Sequence, residues 1–144
     1  MQRTLSILAL LVMIASLVGL VFAHALFSRS PIAIGLQVCA ALLMLWARLT
    51  FGTRSFHGTA TPTAGGLVTT GPYHYIRHPI YTSIVLFVWA GAVANWSLGV
   101  VAMAALATVG ALVRILCEEQ LLVQRYPVYT SYAKTTKRMI PYLF

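Results

Sequence analysis

Apolar residues run along this chain in long blocks separated by short polar breaks. From Thr4 to Ser28 there is no formal charge, and only His24 can ionise. From Ser30 to Ala47 there is again no charge, and from Pro79 to Val113 the charge-free run reaches 35 residues. A spanning helix needs ~20 mostly apolar residues. The third run would be roughly 50 Å long as one helix, too long for a hydrocarbon core of about 30 Å. Asn95-Trp96-Ser97 stands at its middle, where Trp favours the membrane interface and Asn and Ser favour turns. The pattern predicts four spans in one domain, over about 4–27, 31–50, 79–95 and 97–117, with a tight hairpin between the last two.

Composition agrees: 60% of the 144 residues are hydrophobic and only 8% are charged. A soluble domain carries about a quarter charged residues, so an ordinary soluble globule and a disordered chain are both excluded. The expected fold class is all-α and integral to the membrane. The net charge of +8 could suggest nucleic acid. Its placement gives a simpler cause. Arg3, Arg48, Arg54, Arg77, Arg114, Arg125, Lys134, Lys137 and Arg138 fall on one side of the four spans, and only Arg29 falls on the other. The positive-inside rule then places both termini, the 52–78 segment and the tail in the cytoplasm, on the inner membrane if the source is bacterial. No nucleic-acid partner is expected; the bilayer itself is.

Met1-Gln2-Arg3 and Ala23-His24-Ala25 have some features of a cleavable signal, but the apolar stretch exceeds the usual 7–15 residues, so a retained helix is expected. Cys39 and Cys117 read as apolar packers. Ala90 with Ala94, and Ala107 with Ala111, would let the last two spans pack closely.

The chemistry-bearing residues concentrate in two segments. The first, Gly65 to Tyr81, opens as a Gly- and Thr-rich loop and predicts a short helix over 72–78 before Pro79 begins the third span. The second continues the fourth span past Arg114 and contains the only two acids, Glu118 and Glu119. Ionisable groups at a membrane boundary are costly unless paired, and are functional candidates by default. Two salt bridges, Glu118 with Arg114 and Glu119 with Arg77, would be the purely structural account. The functional account has a carboxylate facing a pocket and holding a cationic ligand. His74 and His78 would share a helical face, a spacing seen in zinc sites, but the third ligand would have to come from Glu118 or Glu119, and Tyr75 stands where the zinc-protease motif has its Glu, so no metal is expected.

Leu67-Val68-Thr69-Thr70-Gly71-Pro72-Tyr73, then Arg77-His78-Pro79-Ile80-Tyr81, then Glu118-Glu119 followed by Leu122, Tyr129 and Tyr132, resembles the isoprenylcysteine carboxyl methyltransferase family. That family belongs to a wider group of integral-membrane methyltransferases that includes phospholipid N-methyltransferases. The resemblance covers 45–141 and implies an S-adenosylmethionine site on the cytoplasmic side, roofed by the C-terminal segment. Carried over by position, the cofactor contacts are Gly65, Gly66, Leu67, Val68, Tyr73, His78, Pro79, Ile80, Tyr81 and Glu118. Arg114 would face the substrate, and Arg114, Arg77 and Glu119 are the catalytic candidates. The implied reaction moves the cofactor's methyl group to a lipidic or hydrophobic acceptor, with a carboxylate of the isoprenylcysteine kind as one candidate. Two other readings stand beside it: an NADPH-dependent membrane reductase of the sterol-reductase type, and a non-enzymatic small transporter or scaffold.

Overall fold

The computed structural model describes residues 2–52 and 66–144. Within them five helices follow in order: α1 (Gln2–Phe22), α2 (Pro31–Phe51), α3 (Pro79–Ala94), α4 (Leu98–Arg125) and α5 (Tyr129–Thr135), with a 3-10 turn over Gly71–His74 between α2 and α3. α1, α2 and α4 are each long and apolar enough to cross a membrane, and α3 is a shorter apolar helix. The protein is therefore an all-α integral membrane protein. The 16 residues of α3 span about 24 Å, and the 28 of α4 about 42 Å. α4 thus runs beyond a ~30 Å core and carries its last turns, with both acids, toward the membrane boundary.

Local chemistry sets the ends. Pro31 and Pro79 open α2 and α3 at a first-turn position, where the missing N–H costs nothing. The hairpin forms at Asn95-Trp96-Ser97, as the sequence predicts. The Asn95 amide donates to the Gly91 carbonyl at 3.0 Å and to the Phe27 carbonyl at 3.1 Å, and the Ser97 hydroxyl caps α4 by accepting from the Val100 N–H at 3.2 Å. α1 ends at Phe22, five residues short of the expected 27. His24 takes a left-handed φ of 52°, and the N–H groups of Ala25 and Leu26 both fold back onto the Leu20 carbonyl. The turned chain is then held by the Gln37 amide on the Leu26 carbonyl at 2.7 Å. Gly91 permits this closeness, because a Cβ there would fall 2.6 Å from the Ala25 carbonyl oxygen.

Packing follows the inverted polarity of a membrane protein. Leu5, Leu8, Leu11, Val18, Leu42 and Leu45 are exposed, while Ser6, Ser16 and Gln37 are buried. In lipid this arrangement satisfies the polar groups internally and leaves the apolar ones to the solvent they suit. The core joins Met13 and Leu20 to Val88, Ala92, Val100, Ala104, Ala107 and Ala111. α4 packs mainly along α1, and α3 mainly along α2. The last two spans do meet, as expected, with Trp89 Nε1 donating to the Thr108 hydroxyl at 2.9 Å, but each has its larger contact with another helix. Ala107 and Ala111 are buried, but Ala94 is exposed, and Gly110 on the same helix faces the Ala9 carbonyl of α1. Small residues allow close approach without naming the partner.

Candidate functional site

The site is built where the 66–79 segment, the end of α4 and the C-terminal segment meet. Gly71 has φ 58°, and a Cβ on it would fall 2.6 Å from the Thr50 hydroxyl of α2, so this turn packs against α2 only as glycine. The turn closes when the Tyr75 and Ile76 N–H groups donate to the Pro72 carbonyl. The chain then extends. Ile76 forms a parallel bridge with Lys137, the Arg77 N–H donates to the Lys137 carbonyl at 2.7 Å, and the His78 N–H to the Arg138 carbonyl at 2.9 Å. The expected helix over 72–78 is therefore a 3-10 turn followed by an extended stretch. Pro79 disfavours helical φ/ψ at His78, and the tail offers backbone partners instead. His74 and His78 consequently do not share a helical turn: His74 is exposed and His78 is buried.

Glu119 is the hub of this junction. Its Oε1 accepts from Arg77 Nε at 3.0 Å and Nη2 at 2.8 Å, and lies 3.3 Å from His78 Nε2. Its Oε2 accepts from Arg138 Nε at 2.9 Å. Arg77 also donates through Nη1 to the carbonyls of Ala133 (2.8 Å) and Thr136. One carboxylate thus ties α4, the stretch before α3 and the tail together. The Glu119–Arg77 pair expected from the sequence is present.

Glu118 is placed differently. It is half-buried and forms no ion pair among the described residues. The expected Glu118–Arg114 bridge is absent there. Instead Arg114 Nε donates to the Tyr81 phenol at 3.0 Å, and its Nη1 to the Ser6 carbonyl of α1 at 3.1 Å. The Tyr81 phenol also interacts with Glu118, and Glu118 acts electrostatically on Tyr73. Tyr73 is buried against Phe51 with ring centroids 5.4 Å apart, and its carbonyl accepts from the Tyr132 phenol. His78 and Tyr81 bring their rings to 5.9 Å.

Of the sequence-predicted residues, Tyr73, His78, Tyr81, Arg114 and Glu118 therefore gather into one neighbourhood, with Arg77 and Glu119 beside it. Pro79 is buried at the head of α3 and Ile80 half-buried next to it. Leu67 and Val68 are half-buried and Gly66 exposed; Gly65 lies outside the described residues. Sequence reasoning missed Ser6, whose only signal was its place in an apolar helix. It also missed Arg138, which read as one more tail charge, and the role of Tyr132. Burial pushes the phenols of Tyr73 and Tyr129 well above the usual range and that of Tyr132 up to about 12, so all three act as neutral groups here. Beside them a cavity of 310 Å³ is lined by Thr69, His74, Tyr132, Thr135 and Thr136.

A phospholipid methyltransferase family model matches residues 29–128, which spans α2, α3, α4, all of the first site segment and both acids. No curated protein and no solved structure matches the chain. The matched stretch covers more than half of the chain and most of the gathered residues, and on that ground the chain belongs to the phospholipid methyltransferase family, a family of membrane methyltransferases.

Proposed function

We propose that this membrane methyltransferase uses S-adenosylmethionine and methylates a lipidic or hydrophobic acceptor at the junction of α4, the 66–81 segment and the tail. One observation carries the reading: two adjacent carboxylates have different fates. Glu119 accepts from two guanidinium groups and lies beside His78, whereas Glu118 has no ion pair among the described residues and interacts with the Tyr81 phenol. A carboxylate kept at a membrane boundary without a structural cation is suited to an incoming one.

The donor set fits the cofactor. Glu118 would take its ammonium, and backbone N–H groups of Gly65, Gly66, Leu67 and Val68 its carboxylate. Tyr73 and Tyr81 offer ring faces to adenine or to a cation, with His78, Pro79 and Ile80 completing the wall. When bound, the cofactor supplies a methyl group on a cationic sulfur. Transfer of this kind depends on alignment, and the chain's residues provide it. Arg114, fixed between Tyr81 and Ser6, stands ready to neutralise an anionic acceptor, while Arg77 and Glu119 hold the tail closed as positioning residues. The distribution of basic residues puts this site and both termini on the cytoplasmic side.

For the acceptor, Arg114 favours a lipid carboxylate of the isoprenylcysteine kind, which needs no general base at neutral pH. The family's description favours a phospholipid, and that is the second reading. The test is incubation of the detergent-purified protein with methyl-labelled S-adenosylmethionine and, separately, N-acetyl-S-farnesylcysteine, phosphatidylethanolamine or a membrane lipid extract. Base-labile label on the farnesylcysteine is expected. Base-stable label on the phospholipid would select the second reading. Absence of any transfer, together with binding of NADPH, would overturn both.

A further inference from the structure

We infer that Ser6 on α1 belongs to the acceptor site, where its hydroxyl donates a hydrogen bond to the anionic head of a lipid whose charge Arg114 neutralises. This rests on the methyltransferase reading and extends it to a helix outside the family-matched segment, which begins at residue 29.

The Ser6 hydroxyl is buried, with the residue 1% exposed, and has no hydrogen-bond partner. Inside a membrane helix such a group normally returns to a carbonyl of its own helix. Other helical hydroxyls here do so: Ser16 to Val12 at 2.8 Å, Thr50 to Trp46 at 2.9 Å, Ser83 to Ile80 at 2.7 Å and Thr108 to Ala104 at 2.8 Å. An idle buried hydroxyl is destabilising, and alanine would serve the helix better. Ser6 is also not randomly placed. Its own carbonyl holds Arg114 Nη1, and Arg114 is itself 5% exposed.

The surroundings fit a lipid. The connection between α1 and α2 meets the end of α3, where Ala25 and Leu26 approach Gly91 and Asn95. α1 packs mainly along α4, and the Arg114 side chain of α4 reaches both flanking helices, touching Ser6 on one and Tyr81 on the other. Farther along, Leu10 and Leu17 on α1 and Ile84 and Val85 on α3 pack against the bundle's core and remain half-buried, so the side chains beyond are apolar. A cation and two hydroxyls at one end, with apolar side chains beyond, suit a chain-bearing oxyanion, either carboxylate or phosphate.

The test measures lipid binding to the full-length protein by native mass spectrometry, using N-acetyl-S-farnesylcysteine, its methyl ester and dioleoyl phosphatidic acid. Wild type is expected to prefer an oxyanion over the ester, and whichever anion binds more tightly identifies the source. Ser6→Ala is expected to weaken that anion about tenfold, to unfold at no lower temperature, and to leave S-adenosylmethionine affinity unchanged. Ser16→Ala, whose hydroxyl is already satisfied, should change nothing. Anion affinity unaltered in Ser6→Ala, or no preference for the anion in wild type, would overturn the inference. Failure of the cofactor reading would show separately, as wild type that binds no S-adenosylmethionine.

Discussion

Glu118 and Glu119 are neighbours in sequence and about 100° apart around α4, and that rotation decides their roles. Glu119 turns toward Arg77, His78 and Arg138, whereas Glu118 interacts with Tyr81. The sequence made it legible that two lone acids at one boundary must matter, because their cost there needs a reason. It could not say which would be consumed by structure, because the second guanidinium, Arg138, arrives from a tail that looked like solvated charge. The phenols make a prediction at this scale. Burial raises Tyr73, Tyr129 and Tyr132, the last to about 12. A phenol raised in the folded state stabilises the fold below its unfolded value near 10, and that contribution is lost as pH rises through the folded value. Stability measured by thermal unfolding should therefore hold to about pH 10 and fall steeply toward pH 12. A flat profile across that window would mean the three rings are not buried.

At the scale of elements, the helices that meet lipid were legible and the segments that meet each other were not. Long charge-free runs and the Asn95-Trp96-Ser97 break marked the spans because lipid imposes one simple rule on them. The stretch before α3 was misread as helix because its backbone partners lie some 60 residues away, at Lys137 and Arg138. α5 left no clear periodic mark in its seven residues. The resulting clasp is testable. Glu119→Gln should leave the cations of Arg77 and Arg138 underpaired, at a cost of about 3–5 kcal/mol for a buried pair. Hydrogen exchange at the amides of Arg77 and His78, and proteolysis after Lys137, should both accelerate. Arg138→Ala should act in the same direction but less, since that side chain is 34% exposed. Protection unchanged in Glu119→Gln would show that the backbone bridge holds the tail without the carboxylate.

At the scale of the whole molecule, a small bundle places its polar groups inside and near one boundary. α1 lies outside the family-matched segment, yet its Ser6 carbonyl holds Arg114, and its Gln2 amide reaches Gln120 at 2.7 Å. The first helix thus touches α4 beside the gathered residues at two points. In the sequence, nine of ten basic residues flank the same side of the four expected spans, which predicts that reporters fused to either terminus will read as cytoplasmic. A reporter active outside at either end would reverse the placement of the site.

The most direct test of the central claim is calorimetric titration of S-adenosylmethionine into the purified protein and its Glu118 variants. Wild type should bind, and both Glu118→Ala and Glu118→Gln should lose tenfold or more, since Gln keeps the shape but not the charge. Binding in Glu118→Gln equal to wild type, or in none of the three, would contradict the assignment of Glu118 as the carboxylate that holds the cofactor.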